Sequence, residues 1–141
     1  MYQACTRMGR EFSLQISAIC LAAIGIVGCG LSASETAARV DKLQTILNGA
    51  NKIEMKLALH DEEFLDEDAA TRFKAALKRE NIELVRNWSK RIVIGNFNLL
   101  HDSSKTGNVL VFKDGVYSHN GVYFRLRHDG IHPIVTAAGN R

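Results

Sequence analysis

Cysteine is absent from residues 30–141 of this chain. The three it has, Cys5, Cys20 and Cys29, all stand in the first 29 residues. The remainder can form no disulfide, offers no thiol nucleophile and builds no cysteine-based zinc site. Proline is nearly absent as well. Pro133 is the single one, so little interrupts regular structure. Neither sign of charge dominates. Taking Arg7, Arg10 and Glu11 off the totals of 18 basic and 15 acidic residues leaves 16 and 14 in residues 29–141, a net charge of +2. That balance argues against a dedicated nucleic-acid surface, and nucleic acid is not an expected partner. The sequence carries no P-loop, no G-x-G-x-x-G, no H-E-x-x-H and no G-x-S-x-G elbow, and no cofactor is expected.

What is present begins at the N-terminus. Arg7 and Arg10 precede an uncharged, mostly apolar run from Phe12 to Val27. This charged-then-apolar layout is that of a secretory signal. The run is shorter than the roughly 20 apolar residues of a spanning helix, and Ser13, Gln15, Ser17 and Gly25 interrupt it. It closes on Ile26-Val27-Gly28-Cys29, where branched aliphatics and one small residue precede a cysteine.

That ending resembles the lipobox of bacterial lipoproteins. The resemblance covers residues 7–30. It implies that residues 1–28 are a signal peptide, that Cys29 becomes the lipidated first residue, and that residues 29–34 are a short tether. Residues 35–141 are then a single domain. A membrane partner follows through the lipid at Cys29, with an envelope protein as a second expected partner. Gly30 is not the Asp that retains such proteins at the inner membrane, so the resemblance implies an outer-membrane location in a Gram-negative host. Two other readings compete: an uncleaved membrane anchor, and an ordinary signal cut after Ala33 or Ser34.

Along the rest of the chain, Ser32 and Glu35 have the spacing of a capping box. Val40, Leu43, Leu47 and Ala50 then recur at helical period, predicting a helix over 34–48. The period changes to two at Ile53, Met55, Leu57 and Leu59, which predicts a strand with one buried face. Asp61-Glu62-Glu63 and Asp66-Glu67-Asp68 follow. They lack the glycine and spacing of a calcium loop, and they precede a helix pattern over 67–80, whose N-terminal end favours acids. Strand patterns come next at 82–88, 92–94 and 97–100, with His101–Asn108 read as a loop. Val109–Lys113, Val116–His119 and Val122–Arg127 read as strands joined at Asp114-Gly115 and Asn120-Gly121, strong two-residue hairpin signals. Ile131–Thr136 reads as a last extended piece. The sum is an α+β domain, two helices packed on one face of a mainly antiparallel sheet of about five strands.

Candidate chemistry is thin. His-Asp occurs three times, and His101, His128 and His132 are the residues that could ligate a metal in a histidine-based binding or sensing protein. Ser103 and Ser104 are the nucleophile candidates of a small hydrolase. No catalytic residue is assigned. Trp88 and Phe124 are expected in the core. Tyr117, Tyr123, Arg125 and Arg127 are expected on one exposed strand alternation as a binding face, because Tyr and Arg are enriched at interface hot spots. A non-catalytic binding or scaffolding domain at the membrane is the expectation these observations favour.

Overall fold

The computed structural model describes residues 30–86 and 90–141. The expected signal peptide, Cys29 and Trp88 therefore lie outside the described residues. The chain divides into two units, Met1–Thr36 and Ala37–Arg141. The described part of the first is the start of helix α1 (Ala33–Gly49). Its capping box forms as the spacing predicts. The Ser32 N–H donates to Glu35 Oε2 at 2.9 Å and the Glu35 N–H to Ser32 Oγ at 3.2 Å, which satisfies two of the helix's orphan donors.

In the second unit the chain runs from α1 through β1 (Lys52–Leu57), β2 (Glu63–Phe64), α2 (Glu67–Ala76), a 3-10 turn (Arg79–Asn81) and β3 (Ile82–Leu84). It continues as β4 (Val93–His101), β5 (Ser104–Phe112), β6 (Tyr117–His119), β7 (Val122–Leu126) and α3 (His132–Gly139). The strands form one sheet in the order β2-β1-β4-β5-β6-β7-β3. Every pairing is antiparallel. The α+β class holds. The described residues form three helices and seven strands rather than two and about five.

Hydrophobic alternation selects the core face. Ile53 and Met55 of β1 lie across from Leu99 and Phe97 of β4, and Phe97 from Val109 of β5. All are buried, with Leu43 and Leu47 of α1, Phe73 of α2 and Ile131 beside α3. Phe73 packs on Phe97 with ring centroids 4.6 Å apart. At Gly107 the sheet lets α1 approach closely: a Cβ there would stand 3.2 Å from Ile46 Cδ1. Asp66 starts α2 by accepting the Ala69 N–H at 2.7 Å, so part of the acidic run is a helix start.

Several expectations are corrected, among them the strand over 82–88, which ends at Leu84, and those at 92–94 and 97–100, which are one strand, β4. The stretch His101–Asn108 is not a loop. Asp102 and Ser103 form a tight turn with φ of 48° and 67°, and β5 begins at Ser104. Its first residues are polar because that end of the hairpin is exposed. Ile131–Thr136 is not extended but opens α3. Pro133 suits a first helical turn, and the N–H groups of Ile131 and His132 both bond Asp129 Oδ1 at 2.9 Å. The strand expected to reach Leu59 ends at Leu57, and Leu59 is left-handed (φ 68°) and fully exposed. α2 stops at Ala76 and not at residue 80. Tyr117, expected on the exposed alternation, is wholly buried. The two-residue turn Asn120-Gly121 sets Tyr117 across from Phe124 and Ser118 across from Tyr123, so Tyr117 and Tyr123 project from opposite faces.

Candidate functional site

The sheet face opposite the helices carries Lys52, Glu54 and Lys56 of β1, Asn96 and Asn98 of β4, Asn108 of β5, and Tyr123 and Arg125 of β7. The register fixes this set. Asparagine is a poor strand former, yet three occupy the two central strands. They form a directed hydrogen-bond relay. Asn108 Nδ2 donates to Asn96 Oδ1 (3.3 Å), Asn96 Nδ2 to Asn98 Oδ1 (3.0 Å), and Asn98 Nδ2 to Glu54 Oε2 (2.7 Å). Farther along, Arg91 pairs with Asp114 at 3.0 Å and lies 5.9 Å from the Tyr123 ring, which in turn meets Phe112 at 5.8 Å.

The expected binding-face residues thus separate. Tyr123 and Arg125 share the open face. Arg127 lies just past β7, exposed, its N–H bonded to the Asn81 carbonyl at 2.9 Å. Tyr117 belongs to the core. Its hydroxyl donates to both carboxylate oxygens of Asp129 at 2.8 Å. Burial, reinforced by that carboxylate, pushes the phenol well above its ordinary value.

The histidines do not converge. His101 Nδ1 meets the Gly49 carbonyl at 2.6 Å, and its Nε2 lies 3.4 Å from Asp102. His128 and His132 stand on either side of Asp129, which is occupied with Tyr117 and the start of α3. Among the described residues no three His, Cys, Asp or Glu side chains are placed to share a metal ion. Ser103 sits in the left-handed turn and Ser104 opens β5, both exposed.

Two of the concavities among the described residues bear on binding. One, about 290 Å³, is lined by the apolar Met55, Leu57 and Ala138 and by the polar His60, Glu62, Glu63 and Arg141. Ion pairs occupy its rim, Arg141 with Glu63 at 3.0 Å and Lys56 with Glu62. The hydrogen bond within the second pair raises the Lys56 ammonium above its ordinary value and lowers the Glu62 carboxyl below its own.

The larger, about 620 Å³, is a groove at the β2 edge of the sheet. Its walls are the start of β1 (Lys52, Ile53), Phe64 of β2 with Leu65 just past it, and one face of α2 (Glu67, Ala70, Thr71, Lys74), residues at helical spacing. Phe64 is 57% exposed. Lys52 Nζ lies 5.9 Å from the Phe64 ring centre, and Lys74 Nζ donates to the Ala50 carbonyl near the end of α1. Sequence reasoning missed this groove. Its one local signal is Phe64, a large apolar residue standing beside a carboxylate run.

No family model matches the sequence, and no curated protein matches it. Among solved structures, a crystal structure of a "putative lipoprotein" from Clostridium perfringens is similar in fold. Its TM-score is 0.53 at 13% sequence identity, over 75% of this chain and 97% of that one. At that identity the likeness is one of fold alone. It supports the α+β architecture. Among the described residues no helix is long and apolar enough to cross a membrane.

Proposed function

We propose that this protein is a lipoprotein of the cell envelope, anchored through lipid on Cys29, whose domain binds a ligand beside the membrane and is not an enzyme. The observation that carries the reading is Gly28-Cys29 closing an uncharged apolar run only four residues before α1 opens at Ala33. One acyl chain holds a protein to a bilayer only marginally and several hold it stably, so a diacylated cysteine suffices as an anchor. Gly30–Ser32 would be the whole tether between lipid and helix, reaching at most about 10 Å. The domain in this reading works close to its membrane. An outer-membrane location in a Gram-negative host, with Gly30 after the cysteine, belongs to the same proposal. A fold shared with a chain named as a putative lipoprotein is consistent with it.

For binding rather than catalysis, the support is the groove at the β2 edge. A concavity of this size suits a small ligand, and it mixes an exposed aromatic with two lysines. The test is the intact mass and N-terminal peptide of the protein isolated from its native membranes. The expected chain starts at Cys29 and carries the mass of a diacylglyceryl group, and Cys29→Ser releases the protein from the membrane fraction. A chain starting at Ala33, Ser34 or Glu35, or one still carrying residues 1–28, overturns the anchor.

A further inference from the structure

We infer that the groove between β1, β2 and α2 holds an anionic amphiphile, an acidic head group on an aliphatic chain. Lys52 and Lys74 would take the head group, and Phe64 and Leu65 the chain. The inference rests on the reading of the domain as a ligand binder and adds the chemical class.

Charge is the first argument. Among the described residues neither lysine of the groove meets a carboxylate, unlike Lys56, Arg79, Arg91 and Arg141. Lys52 lies over the face of a ring and Lys74 bonds a backbone carbonyl. Both contacts hold an ammonium in place without neutralising it. Lys74 has two further N–H donors after its bond to Ala50. Glu67 is the one acid in the lining, so the groove keeps an excess of one positive charge.

Shape and polarity give the second argument. An acidic ion alone would satisfy the lysines and leave Phe64 in water. A neutral apolar ligand would cover Phe64, Leu65 and Ala70 and leave the lysines desolvated and unmatched, which is costly. A ligand with both parts satisfies both sets. A fatty acid and an anionic phospholipid share this chemistry.

The test uses the full chain in native membranes with three diazirine-bearing probes: palmitate, phosphatidylglycerol and the uncharged monopalmitoylglycerol, followed by peptide mapping. The expected label falls on peptides holding Phe64-Leu65 and Ala70-Thr71, from one or both anionic probes and several-fold less from the neutral one. Palmitate alone would identify a free fatty acid as the ligand, and phosphatidylglycerol a membrane lipid. Lys52→Gln, which leaves α1 and α2 untouched, should cut the label about two- to fivefold, as for one exposed ion pair. Equal labelling by the neutral probe overturns the acidic head group, and label outside these peptides, or indifferent to Lys52→Gln, overturns the groove. Lipid on Cys29 with an unlabelled groove refutes the ligand class and leaves the anchor standing. A labelled groove on a chain without that lipid does the reverse.

Discussion

The buried hydroxyl of Tyr117 donates to both carboxylate oxygens of Asp129, each at 2.8 Å. The same carboxylate accepts the N–H groups of Ile131 and His132. One aspartate therefore joins the middle of the sheet to the first turn of α3. Tyr117→Phe keeps the ring against Phe124 (centroids 6.0 Å apart) and removes only the donor. A hydrogen bond to a charged group contributes about 1.5–3 kcal/mol, and a loss of that size is expected in urea unfolding. A loss under about 0.5 kcal/mol would show that water replaces the phenol without cost.

The same contact sets an alkaline limit. Burial, then Asp129, raises the Tyr117 phenol above its ordinary value of 10.0. In the unfolded chain it ionises near that ordinary value, so above it the unfolded state holds fewer protons than the folded one. Stability from this group is thus fully present below pH 10 and declines as pH rises further. Unfolding midpoints measured from pH 8 to 11.5 should be level with respect to this group and then fall. Tyr117→Phe should flatten part of that fall. An identical decline in the variant would assign it to other groups.

Local rules were legible where a short motif sets a short structure. Ser32 with Glu35, Asp66 ahead of α2, and Asn120-Gly121 (φ 48° and 79°) all do what their spacing implies. Legibility failed where tertiary partners decide. Ser104, Lys105 and Thr106 carry no apolar signal because their half of β5 is exposed, and pairing with β4 makes them strand. Ile131, Ile134, Val135 and Thr136 have strand propensity, but Asp129 and Pro133 begin a helix there. Tyr117 was misplaced by parity: residues 117 and 123 have equal spacing within one strand but lie on either side of a turn. The groove was illegible because β1, β2 and α2 each supply only a few of its residues.

The asparagine relay sets β-propensity against hydrogen bonding. Asn98→Val places a good strand former in the central strand β4, a gain of up to about 1 kcal/mol. It also breaks the bonds to Asn96 and Glu54, at about 0.5–1.5 kcal/mol each. Asn98 is only 6% exposed, so water replaces those partners poorly. The bonds should win, and a net loss of about 1 kcal/mol is expected in thermal or urea unfolding. A stabilised variant would mean that the relay does not hold the sheet together, and that the asparagines serve the open face itself.

Asn81 gives the sharpest test of how β3 is held at the sheet edge. Its Nδ2 donates to the carbonyls of Ala76 (2.6 Å) and His128 (2.8 Å), and its Oδ1 accepts the His128 N–H at 2.7 Å. One buried amide thus closes the end of α2 and pins the segment leading to α3. Asn81→Ala leaves those three groups without their partner, and a buried unsatisfied group costs about 1–3 kcal/mol, so a loss of at least about 3 kcal/mol is expected. Asn81→Asp is the discriminating change. At pH 7 the introduced carboxylate still accepts from His128 N–H but faces two carbonyl oxygens with no hydrogen to give, so it should be at least as damaging as Asn81→Ala. On acidification the carboxyl regains one donor, and the gap between Asn81→Asp and the parent should narrow from pH 7 to pH 4.5. Urea midpoints at the two pH values decide it. A gap that stays constant would mean that residue 81 is hydrated in the variant, and that β3 and α3 are held by Ile82 and Ile131 without the amide.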